Sequence, residues 1–288
     1  MDRFRSLQID KKKAEKNVLI GGGLIILAIL VFVLLMESSV MFISVPIGIT
    51  GIVFLGIGFS KFSTINTKFK NDVLGNLIKE EVEDGYYNPN EGLNPPAVYS
   101  SEFLKRADRY HSEDFISGKI DGVSFMSSDL KLEERHVQHT KNGTRTYYET
   151  YFLGRMFIFE FNKDFAGYVQ VLERGWTHSS RKYNKIKLES VEFNKKFKTY
   201  TTNDHTAFYV LTPHLMEALM DFEKNNKGNI SFSFIDDKLY IGINNMRDTF
   251  ELQMFRPIDE NLLDEFKKDL NVVKDVVHEL RLNNNIFK

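Results

Sequence analysis

Val18–Met36 reads VLIGGGLIILAILVFVLLM and Val40–Phe59 reads VMFISVPIGITGIVFLGIGF, with only Glu37, Ser38 and Ser39 between them. Neither run contains an ionisable side chain. As α-helices they would extend about 28 and about 30 Å at 1.5 Å per residue, which matches a hydrocarbon layer of about 30 Å. Lipid offers no hydrogen bonds to the backbone, so a helix is the form in which such runs satisfy their own amides. A connection this short forces an antiparallel hairpin. The first run is longer than the apolar core of a signal peptide and no small-residue cleavage site follows it, so the pair reads as two spans.

Charge around the block sets an expected orientation. The tail before it carries Arg3, Arg5, Lys11, Lys12, Lys13 and Lys16, and Lys61, Lys68 and Lys70 follow the second run, whereas the connecting loop carries only Glu37. Basic residues stay on the cytosolic side, so both termini are expected there in a cell-membrane protein. Gly48, Gly56 and Ser60 recur at multiples of four and are the expected helix-packing positions, either against the first run or in an oligomer seam. With no ionisable group in either run, ion-coupled transport is disfavoured.

The remaining residues are an ordinary globular mixture. The chain of 288 residues has a net charge of -1 and no cysteine. That excludes disulfides, thiolate nucleophiles and cysteine-ligated metals, and no global field favours nucleic acid. Ser60–Glu83 continues as a helical stalk, with Ile65, Phe69, Val73 and Leu77 at helical spacing. Tyr86–Ser100 reads as a linker through Asn88-Pro89, Asn94 and Pro95-Pro96, and Ser101 as the cap of a short helix reaching Arg109.

Strand signals follow. Asp121-Gly122 joins two strands, Phe115–Ile120 and Val123–Leu132. Thr146–Phe161 is apolar on both faces, as a covered central strand is. Thr199–Leu211 reads as a hairpin around Asn203-Asp204, and Thr212-Pro213 opens a helix. Ile230–Phe234, Leu239–Ile243 and Thr249–Phe255 are further strands, and Leu263, Phe266, Leu270, Val273, Val277 and Leu280 mark a C-terminal helix. The expected class is α+β: a basic tail (1–17), a transmembrane hairpin (18–59), a stalk and linker (60–100), and a mainly antiparallel cytosolic domain (101–288).

Four motifs in order carry a resemblance: Ser112–Gly118 (SEDFISG), Gly154–Lys163 (GRMFIFEFNK), Leu188–Phe193 (LESVEF) and Phe208–Pro213 (FYVLTP). Together the chain resembles a bacterial family of two-span membrane proteins classed only as a domain of unknown function. The resemblance implies topology and a mixed cytosolic domain, and it implies no activity or cofactor.

The sequence carries no complete catalytic motif. His136 and His139 form H-x-x-H in a hairpin arm, a spacing that on a strand sends them to opposite faces. Ser179-Ser180 beside His178 lacks the surroundings of a nucleophile elbow, and no phosphate loop occurs. No catalytic, metal-ligating or cofactor-binding residue is assigned. One basic stretch stands out: Arg181, Lys182, Lys185, Lys187, Lys195, Lys196 and Lys198, opposed within it only by Glu189 and Glu192. With the N-terminal Arg3, Arg5, Lys11, Lys12, Lys13 and Lys16 it is the expected contact with anionic lipid. The functional expectation is a non-catalytic membrane-anchored module. Its partners would be the bilayer and an unidentified protein, with a homo-oligomer open and nucleic acid not expected. A membrane-surface enzyme and a small channel or scaffold are the alternatives.

Overall fold

The structure, a computed structural model, describes residues 2–38, 40–141, 143–175 and 183–279. The chain divides into two compact units, 1–74 with 251–267, and 75–250 with 268–288. The class is α+β: long apolar N-terminal helices, then a sheet domain with helices.

In the first unit, α1 (Asp2–Leu34) runs unbroken from the basic tail through the first apolar run. A short 3-10 turn (Met41–Ile43) leads into α2 (Ser44–Phe69). Both helices are long and apolar enough to cross a membrane. They meet along a seam of small residues. Leu7, Ala14, Gly21 and Ala28 are the buried apolar positions of α1, and Ser44, Gly51, Gly58 and Ile65 are buried on α2. Each series repeats every seven residues, the period of a left-handed helix pair. A Cβ at Gly21 would fall 2.7 Å from the Gly51 carbonyl oxygen, and one at Gly58 would fall 2.6 Å from Val18 Cγ2. The outward faces carry Ile26, Ile29, Leu30, Val33, Ile49 and Ile52, all exposed.

The same unit holds residues 251–258 against the helix ends. Asn66 Oδ1 accepts from the Leu252 amide (3.1 Å), Glu15 Oε1 from Phe255 (2.8 Å) and Gln8 Oε1 from Ile258 (2.8 Å). Lys70 pairs with Glu251, and Phe69 packs on Phe266 at 5.5 Å. These side-chain acceptors take the amides a sheet ladder would otherwise need, so the expected strand Thr249–Phe255 does not form.

In the second unit, α3 (Gly75–Glu81) precedes a seven-stranded sheet: β1 (Glu83–Asn88), β2 (Arg109–Ile120), β3 (Val123–Thr140), β4 (Gly143–Glu173), β5 (Asn184–Ile186), β6 (Phe197–Thr201) and β7 (Asn229–Asn244). The order is β1-β2-β3-β4-β6-β5, with β7 on the other edge of β4, and every pairing is antiparallel. β4 is the spine. Phe157 and Phe159 on one face and Met156 and Ile158 on the other are all buried, as expected for a covered strand.

One face is covered by the segment after β1, where Leu93, Val98, Phe103 and Leu104 pack with Leu130, Phe152, Met156 and Tyr240. On the other, Phe193, Phe197, Phe222 and Phe232 form a chain of ring contacts between 4.9 and 6.3 Å. Phe193 comes from α5 (Val191–Lys196) and Phe222 from α7 (Pro213–Asn225), whose cap Thr212 accepts from Leu215 as the sequence predicts.

Several local expectations change. Asn94 and Pro95, read as breakers, cap and open α4 (Pro95–Tyr99). The predicted helix 101–109 does not form, because Glu102 turns into the left-handed region and Phe103 is buried. In place of a hairpin at 199–211, Asn203 accepts from His205 and starts α6 (Asp204–Val210). The predicted C-terminal helix is α8 (Glu260–Glu279), within which the division between the units falls. Of the predicted stripe, Phe266, Leu270, Val273 and Val277 are buried and Leu263 is half-buried; Leu280 lies outside the described residues.

Candidate functional site

A charged constellation lies inside the sheet domain. A bulge between Glu113 and Ile116 breaks the β2–β3 register, and there Asp114 adopts φ 55°. The bulge turns the Asp114 carboxylate inward, where it accepts from the Tyr87 hydroxyl at 2.5 Å. On β3 and β4, Asp129 and Arg155 are register partners, and Arg155 Nε donates to Asp129 Oδ1 at 2.6 Å. The second Asp129 oxygen accepts from the Thr249 amide at 2.8 Å. The Arg155 guanidinium lies 4.2 Å from the centre of the Phe250 ring. Asp114, Asp129 and Arg155 are all buried.

Electrostatics agree with the geometry. Burial pushes the Asp129 carboxyl up to about 7, against the pull of the Arg155 guanidinium. Burial, with the Asp114 carboxylate beside it, drives the Tyr87 hydroxyl far above the ordinary phenol range. Carboxylate oxygens of Glu113, Asp114 and Asp248 lie within 4.8 Å of one another. Arg155 already places a cation among the acids here, and both oxygens of Asp129 are engaged. No histidine among the described residues joins this set, and neither Asp129 nor Asp114 faces solvent. The arrangement does the work of a buried structural network, tying β1 to β2 and β3 to β4 and the segment at Thr249.

The predicted basic stretch falls at an edge of the sheet. Lys185 lies on β5, the terminal strand, Lys187 just beyond it, Lys195 and Lys196 on α5, and Lys198 on β6. Lys185, Lys187 and Lys195 are exposed, whereas Lys196 is tied to Glu223 at 2.5 Å. Charges on an edge strand also hinder unwanted strand pairing. Arg181 and Lys182, with His178, Ser179 and Ser180, lie outside the described residues.

The N-terminal candidates divide. Arg5, Lys12, Lys13 and Lys16 are exposed on α1, and Arg3 lies in its first turn. Lys11 departs from its expected lipid-facing place: it is 1% exposed, paired with Glu15 and donating to the Arg256 carbonyl at 2.7 Å. Its aliphatic stem reaches inward and its charge is neutralised there. The helix-packing candidates also shift. Gly48 would bring a Cβ within 3.6 Å of Ala28, but nothing lies within 4 Å of Gly56, and Ser60 is exposed. The close approach is at Gly21, Gly51 and Gly58. A four-residue period follows one ridge of a straight helix, whereas this seam repeats every seven, a signal the small residues at 14, 21, 28 and at 44, 51, 58 carried in the sequence. Gly51→Leu with Gly58→Leu is expected to destabilise the hairpin by about 1–3 kcal/mol, read as faster proteolysis in detergent, while Gly56→Leu leaves the digestion rate unchanged.

The H-x-x-H pair sits on an arm. Beyond Glu133 and Thr150, among the described residues, β3 and β4 pair with each other alone, down to Thr140 and Gly143. His136 stacks on Tyr147 at 5.2 Å and approaches Glu149 at 3.2 Å, while His139 meets Thr144 at 3.0 Å. The two histidines therefore have separate neighbours, as odd spacing on a strand requires.

Fold and site together define a class: an antiparallel α+β domain, with Asp129 and Arg155 paired in its interior, joined in one chain to an apolar helical hairpin. Residues 150–282 match the family model described as "Protein of unknown function (DUF3137)". This bears out the resemblance to a domain of unknown function, and three of its four motifs, those starting at Gly154, Leu188 and Phe208, lie inside the matched region. A search of curated proteins gave no match. Among solved structures, the mycobacterial trehalose monomycolate transport factor A, TtfA, aligns with a TM-score of 0.39 and 8% identity, over 69% of this chain and 88% of that one.

Proposed function

We propose that this chain is a membrane-anchored interaction module, its hairpin spanning the cell membrane with both termini cytosolic and its sheet domain presented to partners at the inner face. The observation that carries this reading is the hairpin itself. Its helices meet along a narrow seam of small residues, while large aliphatic side chains on the outward faces stay exposed. Exposed apolar surface of that extent in water is a liability, and in lipid it is the required surface. A catalytic role has less support, since Asp114, Asp129 and Arg155 are buried and held by neighbouring groups. Lys185, Lys187, Lys195 and Lys198 would add contact with anionic headgroups, each nearby basic residue contributing about 1 kcal/mol.

The lack of native cysteine makes topology directly testable. Single-cysteine variants Glu37→Cys, Lys12→Cys and Lys187→Cys are treated in intact cells with a membrane-impermeant maleimide. Labelling is expected at position 37 alone, with positions 12 and 187 reacting only after permeabilisation. Labelling of 12 or 187 in intact cells would reverse the orientation and remove the inner-leaflet role.

A further inference from the structure

The β3–β4 arm has three features in combination: open edges, a rigid root and a one-signed tip. At the root the sheet ends deliberately. Asp108 Oδ2 accepts from the Arg135 amide at 2.7 Å, closing the outer edge of β3. On the outer edge of β4, Asn244 accepts from the Leu153 amide (3.1 Å) and donates to the Tyr151 carbonyl (2.9 Å). Past these side-chain plugs no described strand pairs with either edge. By the two-residue alternation of an antiparallel ladder, the main-chain groups of Val137 and His139 point outward on one edge, and those of Thr144, Thr146 and Tyr148 on the other.

A bare two-stranded ribbon is marginal in water. This one is braced by the His136–Tyr147 stack and by Arg109, whose guanidinium lies 3.4 Å from the centre of the Tyr148 ring. Acidic residues are confined to the root, at Glu133, Glu134 and Glu149. From Arg135 to Tyr148 there are none, while Arg135, Lys141 and Arg145 are cationic and join no ion pair among the described residues.

We infer that the arm is a docking strand for an acidic, extended polypeptide segment of a partner protein, which adds as a further β-strand along an open edge. The inference rests on the interaction-module reading above and names its partner's chemistry. Open edges template strand addition, with main-chain hydrogen bonds giving affinity and side chains giving selectivity. Charge selects among the occupants. A second copy would bring a cationic tip against a cationic tip, which like-charge repulsion opposes. Phosphate groups, in lipid or nucleic acid, accept hydrogen bonds but do not donate them, so phosphates leave the outward carbonyls unmatched. An acidic strand satisfies both the charges and the edge.

The test uses the full-length chain in nanodiscs of zwitterionic lipid and a fluorescein-labelled 12-residue peptide alternating Glu with Val and Thr. A peptide with Lys in place of Glu is the control. Fluorescence anisotropy is expected to show saturable binding of the acidic peptide alone. Arg135→Glu with Arg145→Glu is expected to weaken it at least tenfold. Val137→Pro, which removes an outward amide without changing charge, and Thr146→Pro on the opposite edge separate edge pairing from charge: one of the two weakens binding several-fold. If a proline variant does not fold by circular dichroism, the charge pair still decides. No binding of the acidic peptide, binding that survives the charge reversals, or loss with charge but with neither folded proline variant each overturns the inference. So does arm-dependent capture of a DNA duplex or of phosphatidylglycerol vesicles in place of the peptide. Cysteine labelling at positions 12, 37 and 187 is independent of the arm, so failure here leaves the anchoring reading standing.

Discussion

Asp129→Ala is expected to destabilise the sheet domain by about 3–5 kcal/mol at pH 8, because it strands the buried Arg155 guanidinium without its carboxylate. It also removes the acceptor of the Thr249 amide, which loosens the segment that places Phe250 over the guanidinium. Truncating one partner of a buried pair leaves the other charged and dehydrated, and that penalty is larger than the net worth of the pair. The paired replacement Asp129→Leu with Arg155→Met removes both charges at similar volume and should regain most of the loss. Urea unfolding of the detergent-solubilised protein, followed by circular dichroism, checks both. A shift under 0.5 kcal/mol for the single change would mean that the network does not hold the β3–β4 register.

The same carboxyl gives the stability a pH slope. Its folded value of about 7 lies above the ordinary aspartate value of about 3.9. Between those values the folded chain binds the proton more tightly than the unfolded chain, so this group's contribution falls as pH rises from about 4 to about 7. Asp129→Asn, which cannot titrate, should flatten that slope in melting curves taken across the window. An unchanged slope would assign it to other groups.

Gly154→Ala is expected to cost about 3 kcal/mol, at the top of the ordinary overpacking range. Gly154 lies on β4 where β3 and β7 flank it, paired to Leu130 and Asn244. A Cβ there would lie 2.0 Å from the Ile243 carbonyl oxygen, a backbone atom of the adjacent strand that no rotamer change can move aside. Relief requires β4 and β7 to separate, at the point where Asn244 plugs the edge. The melting temperature should fall by more than for Gly122→Ala, whose added Cβ would meet nothing within 4 Å, although its positive φ imposes some strain there too. Equal effects at the two positions would refute a packing origin.

How much of this could be read from residues varies with the range of the interaction. The apolar runs, the β4 pattern around Phe157 and the Thr212-Pro213 helix start are set by neighbours within a turn or two, and each appears in the fold as expected. Local signals failed where a distant group took over the backbone. Thr249–Phe255 alternates like a strand, but its amides are taken by Asp129 for Thr249, Asn66 for Leu252 and Glu15 for Phe255. Asn94 and Pro95 are chemically ambiguous between breaking and capping, and the buried placement of Val98 decides for a helix.

The charged network was illegible for the same reason. Asp114, Asp129 and Arg155 are scattered single residues in sequence, and only strand register brings them together. Lys11 looks like its exposed neighbours Lys12 and Lys13, yet a carbonyl 245 positions away helps to bury it. The sequence by itself determined the two apolar helices, the antiparallel character of the domain and the uneven distribution of charge, because each follows from composition and period along a short stretch. Tertiary structure alone decided which acids meet Arg155 and that the β3–β4 hairpin leaves the sheet with open edges. Those outcomes depend on distances between segments, and no local period encodes them.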